Sequence, residues 1–370
     1  MKCLGVNKTF SFLLDMDLLT LTSSKPINTL FIQNKNVLTL NSLKTLTISS
    51  LNIVFNRIRF LSKHSFEGMI NLENLSLTNN QLENVESYSF HRLNKLKNLY
   101  FYSNNLKVLE EFTFLNLTSL DWLDLHDNEI ETIQSNAFYD LINLRYLRLY
   151  GNKLKEITVN TFKHLSEKIY LLYMDQNEIE NIEPRSFANM VNLKYLKLEV
   201  NQLKTIRNET FFGLKALFAL QLSQNELNRL QAHFFTGMIG LTDLKFYANK
   251  IDSIEAGTFS FMKNLRILHL HGNQIQKIEQ SLFKSLVKLD DLMLLSNKLE
   301  RVDFDLPTSL TKLDIGFNEI SFITSSSMEE LFNLNVLKLE GNKLEEFPSQ
   351  QFLSFSRKFK NSKFIRQSFY

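Results

Sequence analysis

The sequence predicts an α/β solenoid, in which short parallel strands stack into one sheet and short helical or irregular segments form the opposite wall. Three observations predict this fold. The pattern LxLxxNxL returns many times at a nearly constant step. A phenylalanine returns ten residues after the asparagine in most copies. The 370 residues include only 10 glycines and 4 prolines but 32 phenylalanines, a composition typical of one module repeated along the chain.

The asparagine of the pattern marks 13 units. Neighbouring asparagines are 24 residues apart, except for one step of 25 from Asn152 to Asn177 and one of 21 from Asn297 to Asn318. Chance does not produce so many copies in register, so the repeat is a specific signal for a solenoid. The asparagines are Asn56, Asn80, Asn104, Asn128, Asn152, Asn177, Asn201, Asn225, Asn249, Asn273, Asn297, Asn318 and Asn342.

Each LxL segment predicts a short strand, because side chains alternate between the two faces of a strand. In Leu75-Ser76-Leu77 the leucines are expected to point into the solenoid and the serine outward. Stacked copies then form a parallel sheet with neighbours about 4.8 Å apart. The asparagine carries both an acceptor and a donor, so we expect it to satisfy backbone groups of its own turn and of the next coil. Losing one such rung is expected to cost about 1–3 kcal/mol.

The phenylalanines are predicted to stack as a spine beneath the wall opposite the sheet. No single unit buries its apolar face alone, so this core forms only when units stack. A packed sheet on one side and a wider wall on the other are expected to bend the stack into an arc with the sheet on its concave face. The spine positions in ten consecutive units are Phe66, Phe90, Phe114, Phe138, Phe162, Phe187, Phe211, Phe235, Phe259 and Phe283.

With this 24-residue unit and its phenylalanine, the chain resembles the extracellular branch of the leucine-rich-repeat superfamily, which includes Toll-like receptor ectodomains, Slit, chaoptin and the acid-labile subunit. The resemblance implies a right-handed superhelix of horseshoe shape over residues 27–353, with about 13 regular repeats and a degenerate first one in which Lys35 replaces the rung asparagine. It also implies a secreted or surface protein that recognises a macromolecule. Cytosolic branches tend toward other unit lengths or cysteine rungs, and no rung here is cysteine.

Both ends depart from the family pattern, in which cysteine-rich caps usually close the solenoid. The single cysteine, Cys3, allows no internal disulfide. Residues 1–26 are interpreted as a poor secretion signal or a degenerate cap, because Asp15 and Asp17 interrupt their apolar run. Residues 354–370 hold five basic and no acidic residues and are expected to form a disordered tail. We therefore expect either a fragment of a longer receptor or a secreted protein with imperfect caps.

The predicted binding surface comprises the outward strand positions, six, four and two residues before each rung asparagine. These positions hold seven of the 11 tyrosines and the only tryptophan, where random placement would put about one tyrosine. Tyrosine, tryptophan and arginine dominate interface energetics, although strand propensity also favours tyrosine. We predict a ligand platform on the concave face, formed by Tyr100, Tyr102, Trp122, Asp124, His126, Tyr146, Arg148, Tyr150, Tyr173 and Tyr195.

Four N-glycosylation sequons begin at Asn7, Asn74, Asn116 and Asn208. Asn116 and Asn208 are predicted to lie on the convex side, where a glycan projects freely, and are the predicted glycosylation sites. Asn74 falls on the concave side, where a glycan would direct ligands toward the central units.

Two histidines, His269 and His271, are predicted to share one strand face. With Asp243 or Asp291 from flanking units they could bind zinc, or they could make binding depend on pH. Because no third ligand is fixed, we interpret them as polar surface residues, and no metal site is predicted.

Composition and motifs argue against several functional classes. A net charge of +3 is too small for nucleic acid as the main partner. No stretch approaches the roughly 18 apolar residues that span a bilayer. The chain has no phosphate-binding glycine loop, metalloprotease signature or nucleophile elbow, so neither an enzyme nor a cofactor is expected. The leading hypothesis is an extracellular module that binds a protein or other macromolecule, with homodimerisation open; a matrix or cell-adhesion protein and a cytosolic scaffold are the alternatives.

Overall fold

All 13 predicted LxL segments form strands in the computed structural model, which describes residues 9–11, 29–33 and 48–345. The chain divides into two compact units, residues 1–193 and residues 194–370. Each is a solenoid of parallel strands, as the repeat predicts. The predictions for Cys3, Asn7, Lys35 and the basic segment 354–370 fall outside the described residues.

The first unit contains eight described sheet strands, each paired in parallel with the strand of the neighbouring coil. Equivalent repeat positions face each other, so Leu123 pairs with Leu147 and Leu147 with Leu172. Two strands precede those of the regular repeats. In order, the strands are Thr9–Ser11, Thr29–Gln33, Ser50–Val54, Asn74–Ser76, Asn98–Tyr100, Trp122–Asp124, Tyr146–Arg148 and Leu171–Tyr173.

The second unit contains seven described sheet strands with the same parallel register. Leu220 pairs with Leu244, and Leu244 with Leu268. The strands are Tyr195–Lys197, Ala219–Gln221, Asp243–Lys245, Ile267–His269, Asp291–Met293, Lys312–Asp314 and Val336–Lys338.

The side of each coil opposite the sheet, here called the turn side, consists mainly of tight turns. In the described ranges it holds one α-helix, Ser325–Glu329, and one 3₁₀ helix, Ala232–Phe235. Within those ranges, no helix is long and apolar enough to cross a bilayer. Short parallel strand pairs join some neighbouring coils: Phe60–Leu61 with Asn84–Val85, Val108–Leu109 with Thr132–Ile133, Glu156–Ile157 with Asn181–Ile182, Arg229–Leu230 with Ser253–Ile254, and Arg301–Val302 with Phe322–Ile323.

Helix is scarce on the turn side because left-handed residues interrupt most coils there. In one coil Tyr88 has φ 69° and Arg92 has φ 68°, and neither value is compatible with a right-handed helix. Irregular turns therefore make up nearly all of the wall that was predicted to be helical or irregular.

The predicted phenylalanine spine is present and buried. In the first unit the rings of Phe114 and Phe138 lie 6.2 Å apart with 5° between their planes, and Phe138 lies 6.1 Å from Phe162. In the second unit Phe211 stacks on Phe235 at 6.4 Å. In the first unit the stacking contacts run without a break from Phe66 to Phe187. In the second unit they join Phe211 to Phe235 and Phe259 to Phe283 as two separate pairs.

The rung asparagines bridge neighbouring coils, with one difference from the prediction. The Nδ2 group of Asn128 donates to the Leu125 carbonyl of its own turn at 3.0 Å and to Phe101 O at 3.1 Å. Its Oδ1 accepts from the Leu106 amide at 3.2 Å. Phe101 and Leu106 belong to the preceding coil, not to the next one as predicted. Each coil is thus fastened by the asparagine of the coil that follows it.

The residue directly before each rung adopts a left-handed conformation, with φ between 50° and 70°. This backbone bend turns the chain out of the strand and lets the asparagine side chain point inward. Only three of the 13 residues are glycine, although the conformation is unfavourable for most other types. They are Phe55, Asn79, Ser103, Asp127, Gly151, Gln176, Val200, Gln224, Ala248, Gly272, Ser296, Phe317 and Gly341.

The 21-residue step changes the turn side of the second unit. Phe304 replaces the spine phenylalanine there, buried and edge-on to Phe283 at 5.9 Å. The shortened coil leaves a cleft of about 380 Å³, whose lining includes Lys284, Asp305 and Glu330.

Candidate functional site

Nine of the ten predicted platform residues belong to four consecutive coils of the first unit, six of them on the sheet strands and three just beyond the strand ends, at positions that point away from its core. The parallel register aligns them in three rows across the strands. Most are half-buried by their neighbours. These nine, here called the aromatic patch, are Tyr100, Tyr102, Trp122, Asp124, His126, Tyr146, Arg148, Tyr150 and Tyr173.

One row of the aromatic patch is a stack of three rings. His126 lies between Tyr102 and Tyr150, with ring centres 4.4 Å from each and planes 15° and 13° apart. Strands in a sheet repeat at about 4.8 Å, close to the distance at which rings stack. A ring at the same position of three successive repeats therefore stacks without distorting the backbone.

A second group surrounds the only tryptophan. The Trp122 ring stacks on Tyr146 at 4.9 Å, and Tyr146 meets the edge of Tyr170 at 5.9 Å. The guanidinium carbon of Arg148 lies 4.5 Å from the Trp122 ring centre, and that of Arg145 lies 5.3 Å from the Tyr146 ring centre. Both contacts have the geometry of cation–π interactions, which hold aromatic and cationic side chains in fixed relation.

Asp124 lies between these two groups and is only 3% exposed. Its Oδ1 is 2.5 Å from His126 Nδ1, and its Oδ2 accepts from Arg148 Nη1 at 3.5 Å. A buried carboxylate is tolerated when it has such partners. Burial, and next the charge of Asp124, raise the pKa values of Tyr100 and Tyr150.

The tenth predicted residue, Tyr195, belongs to the second unit. It begins the strand Tyr195–Lys197, and its ring lies 5.8 Å from that of Phe218. The prediction did not include the rim position seven residues before the rung, which Tyr170 and Arg145 occupy in the first unit. There Arg145 forms two hydrogen bonds to Asp121, at 2.5 and 2.7 Å. The 24-residue interval between Asp121 and Arg145 was the signal that could have identified this pair.

The second unit carries the predicted histidine pair on its outward face. His271 stacks on Tyr247 at 4.8 Å, and His269 Nε2 is 3.8 Å from Asp291 Oδ1. Burial, and next the charge of His269, lower the pKa of His271. The nearby imidazole of His269 lowers the pKa of Asp291. In the part of the chain that the structure describes, no three His, Cys, Asp or Glu side chains converge to hold a metal ion.

The sequons differ in accessibility. Asn208 is exposed in a turn. Asn116 is half-buried in a turn with φ 68°, and its backbone N–H donates to Asp140 Oδ2 at 3.3 Å. Asn74 lies on a sheet strand, and its Oδ1 accepts from Asn98 Nδ2 at 2.7 Å.

Family signatures cover most of the chain. The family described as Leucine rich repeat matches residues 167–227, 219–275 and 263–306. The family described as BspA type Leucine rich repeat region (6 copies) matches residues 35–169. No curated protein sequence matches the chain significantly.

Several solved structures share the fold. An internalin from Listeria monocytogenes superposes with a TM-score of 0.63 at 21% identity, over 93% of this chain and 87% of its own. A chain of the Drosophila Toll–Spätzle complex gives 0.76 at 20% identity, over 90% of this chain but 45% of its own, so this chain spans less than half of that one. A leucine-rich-repeat protein from Leptospira interrogans gives 0.64 at 22% identity, over 93% and 90%.

At these identities the structural likeness establishes the fold alone. The family signatures together span residues 35–306, which include eleven of the 13 rungs, and they agree with the buried leucines. The chain belongs to the leucine-rich-repeat superfamily.

Proposed function

We propose that this chain is an extracellular or cell-surface recognition module that binds a protein ligand through the aromatic patch. The observation that carries the proposal is the convergence of Trp122, Arg148 and six further aromatic rings at outward positions of four adjacent coils. Tryptophan, tyrosine and arginine are the residue types that contribute most to protein–protein affinity. Leucine-rich-repeat proteins are generally protein-binding modules without enzymatic activity, and no catalytic role is proposed here.

The patch is arranged to bind with little ordering cost. His126 is held by stacking on Tyr102 and Tyr150 and by Asp124, and Trp122 is held by Tyr146 and Arg148. Side chains that are fixed before binding lose less conformational entropy when a ligand arrives. The strands beneath them supply a rigid base, as expected of a high-affinity surface.

The extracellular location is supported by the repeat class and by the sequons. The 24-residue unit with a spine phenylalanine is typical of the extracellular branch, and Asn208 lies exposed on the turn side of the second unit. We propose glycans on Asn116 and Asn208. The Toll–Spätzle structure is itself a complex with a protein, which supports a protein ligand for a chain of similar fold.

The test of ligand binding begins with the full chain displayed against an array of extracellular proteins. Any protein that binds is then tested against the triple variant Trp122→Ala, Tyr146→Ala, Arg148→Ala. The matched control is Tyr88→Ala, Arg92→Ala, Tyr139→Ala, which removes similar side chains from the turn side. Loss of binding in the first variant alone supports the proposal. Equal binding by both folded variants contradicts it.

The location has its own test. The full chain is expressed in secretory cells, and the mass of any secreted product is measured before and after N-glycosidase treatment. We expect secretion and a loss of mass that disappears in the double variant Asn116→Gln, Asn208→Gln. Retention of unglycosylated protein in the cytosol would contradict the extracellular proposal and favour an intracellular scaffold.

A further inference from the structure

We propose that the aromatic patch holds a carboxylate of its protein partner on the unpaired edge of Arg148, beside the indole N–H of Trp122. This inference rests on the proposed function and names the chemistry of the group that the patch recognises. It follows from the hydrogen-bonding state of the two side chains, from their contact with each other and from the distribution of charge around them.

Arg148 uses only part of its hydrogen-bonding capacity. Its Nη1 donates to Asp124 Oδ2 at the long distance of 3.5 Å, while its Nε is buried and has no hydrogen-bond partner among the described residues. The contact with Asp124 therefore leaves the edge that carries Nε available. Two adjacent N–H donors on one edge of a guanidinium match the two oxygens of a carboxylate, which they bind in parallel.

Trp122, whose ring contacts Arg148, adds a second unmet donor. Its Nε1 is buried without a hydrogen-bond partner within the described part of the chain, and its ring lies 4.5 Å from the Arg148 guanidinium carbon. Buried donors without partners are rare in folded proteins, and functional sites are one place where they occur. Because both unmet groups are donors, they favour a ligand that brings acceptors. Both side chains are only half-buried, so a ligand can reach the exposed part of each of them.

The charges next to Arg148 are already compensated. Asp124 is shared between His126 and Arg148, and Asp121 pairs with Arg145. Because Asp124 also contacts His126, Arg148 can accept a second carboxylate from a partner protein. The aromatic rings around it exclude water and strengthen such a pair.

Two other carboxylates lie toward the opposite end of the patch. The Asp127 amide donates to Tyr150 O at 3.0 Å, and the Asp175 carbonyl accepts from Gly151 N at 3.1 Å, so these residues flank Tyr150 beyond the ends of the strands. A cationic partner group would bind there instead. The experiment below therefore includes a basic probe, whose stronger binding would favour that end.

The probes are three fluorescein-labelled peptides in which serine alternates with glutamate, with glutamine or with arginine. Each is titrated into the full chain at low ionic strength, and binding is followed by anisotropy. Trp122 is the only tryptophan in the sequence, so its indole N–H resonance reports on the site itself. We expect the glutamate peptide to bind about tenfold more tightly than the glutamine peptide and to move the indole resonance.

Two variants distinguish the contribution of the paired N–H donors of Arg148 from that of its positive charge. Arg148→Gln and Arg148→Lys are each expected to weaken the glutamate peptide about tenfold, because lysine keeps the charge but lacks the paired donors. The matched control, Arg59→Gln, removes an exposed arginine outside the patch and should leave binding unchanged.

Equal binding of the glutamate and glutamine peptides would overturn the inference, as would full affinity in the Arg148→Lys variant. Tighter binding of the arginine peptide, or no binding of any peptide with an unmoved indole resonance, would overturn it too. If a partner protein still loses binding in the triple alanine variant while Arg148→Lys binds it normally, the proposed function stands and the carboxylate site does not.

Discussion

The guanidinium carbon of Arg148 lies 4.5 Å from the ring centre of Trp122 on the neighbouring strand. The two residues are 26 positions apart in the sequence, one repeat plus two residues. Because residues 24 positions apart lie side by side on these two neighbouring strands, an interval of 26 brings Arg148 and Trp122 into contact. The same period aligns Tyr102, His126 and Tyr150 in one stack.

The asparagine rungs should each stabilise the solenoid measurably. Asn249 donates to Leu222 O and Phe246 O, both at 3.0 Å, and accepts from Leu227 N at 3.0 Å. Asn249→Ala leaves these buried backbone groups unpaired and should lower the free energy of unfolding by about 1–3 kcal/mol. Urea denaturation measures the effect. Asn160→Ala, at an exposed position, is the control, and an equal loss in both variants would refute the role of the rung.

Loss of a spine phenylalanine should lower the free energy of unfolding more than loss of a rung asparagine does. Phe138 is 1% exposed and stacks between Phe114 and Phe162. Phe138→Ala opens a cavity in the core and should cost about 3–5 kcal/mol in the free energy of unfolding. Phe261→Ala, at a ring that is 53% exposed, should cost far less. The midpoints of thermal unfolding of the two variants give the comparison. Similar decreases in both midpoints would contradict a stabilising role for the stacked phenylalanines.

Two substitutions at the left-handed position before the rung should change the stability in opposite directions. Val200 is β-branched, 42% exposed and held at φ 52°, a conformation that costs of order 1–3 kcal/mol. Val200→Asn should stabilise the protein by about 1 kcal/mol, because asparagine tolerates this conformation. Gly151→Val should destabilise it, because a β-branched residue is strained at φ 66° and its Cβ would also displace the Asp127 carboxylate. Chemical denaturation of both variants tests the pair, and a destabilised Val200→Asn protein would contradict the account.

The stability should fall in mild acid through His271. Burial lowers its pKa, so the folded protein takes up the proton less readily than the unfolded chain does. The free energy of unfolding therefore decreases as the pH drops below 6.5, the ordinary pKa of histidine. The charged groups that act on the pKa of His271 are His269, which lowers it, and Asp314, which raises it, and the ring of Tyr247 stacks on the imidazole.

The measurement is urea denaturation at pH 7.5 and pH 5.5. His271→Gln should show a smaller difference between the two pH values than the unchanged protein. His233→Gln, at an exposed histidine, should keep the full difference. A pH dependence that survives His271→Gln unaltered would assign the effect to other groups.

The strands and the core could be predicted because the repeat over-determines them. A one-residue shift in register would move Leu123 and Leu125, and the equivalent pair in every other repeat, from the core to the surface. The alternation of apolar and polar residues therefore permits only one register. The spine followed from the interval between asparagine and phenylalanine. Both features depend on residue type and spacing alone, and the structure confirms them.

Other features depend on local geometry that spacing does not encode. The left-handed turn before the rung was missed because Val200 and Phe317 are not residues associated with that conformation. The contacts of Asp124 with His126 and Arg148 depend on rotamers. The sequence placed these three residues on one face, but it did not indicate that Asp124 would be buried between the other two.

The central claim is that the aromatic patch is the ligand platform, and the dissociation constant of a selected partner protein tests it most directly. Surface plasmon resonance is used to compare the full chain with the variant Trp122→Ala, Tyr146→Ala, Arg148→Ala, after circular dichroism has verified that the variant is folded. Removal of three hot-spot side chains should weaken binding by about 100-fold or more. An affinity within about threefold of the unchanged protein, well below the effect of one hot-spot residue, would contradict the account.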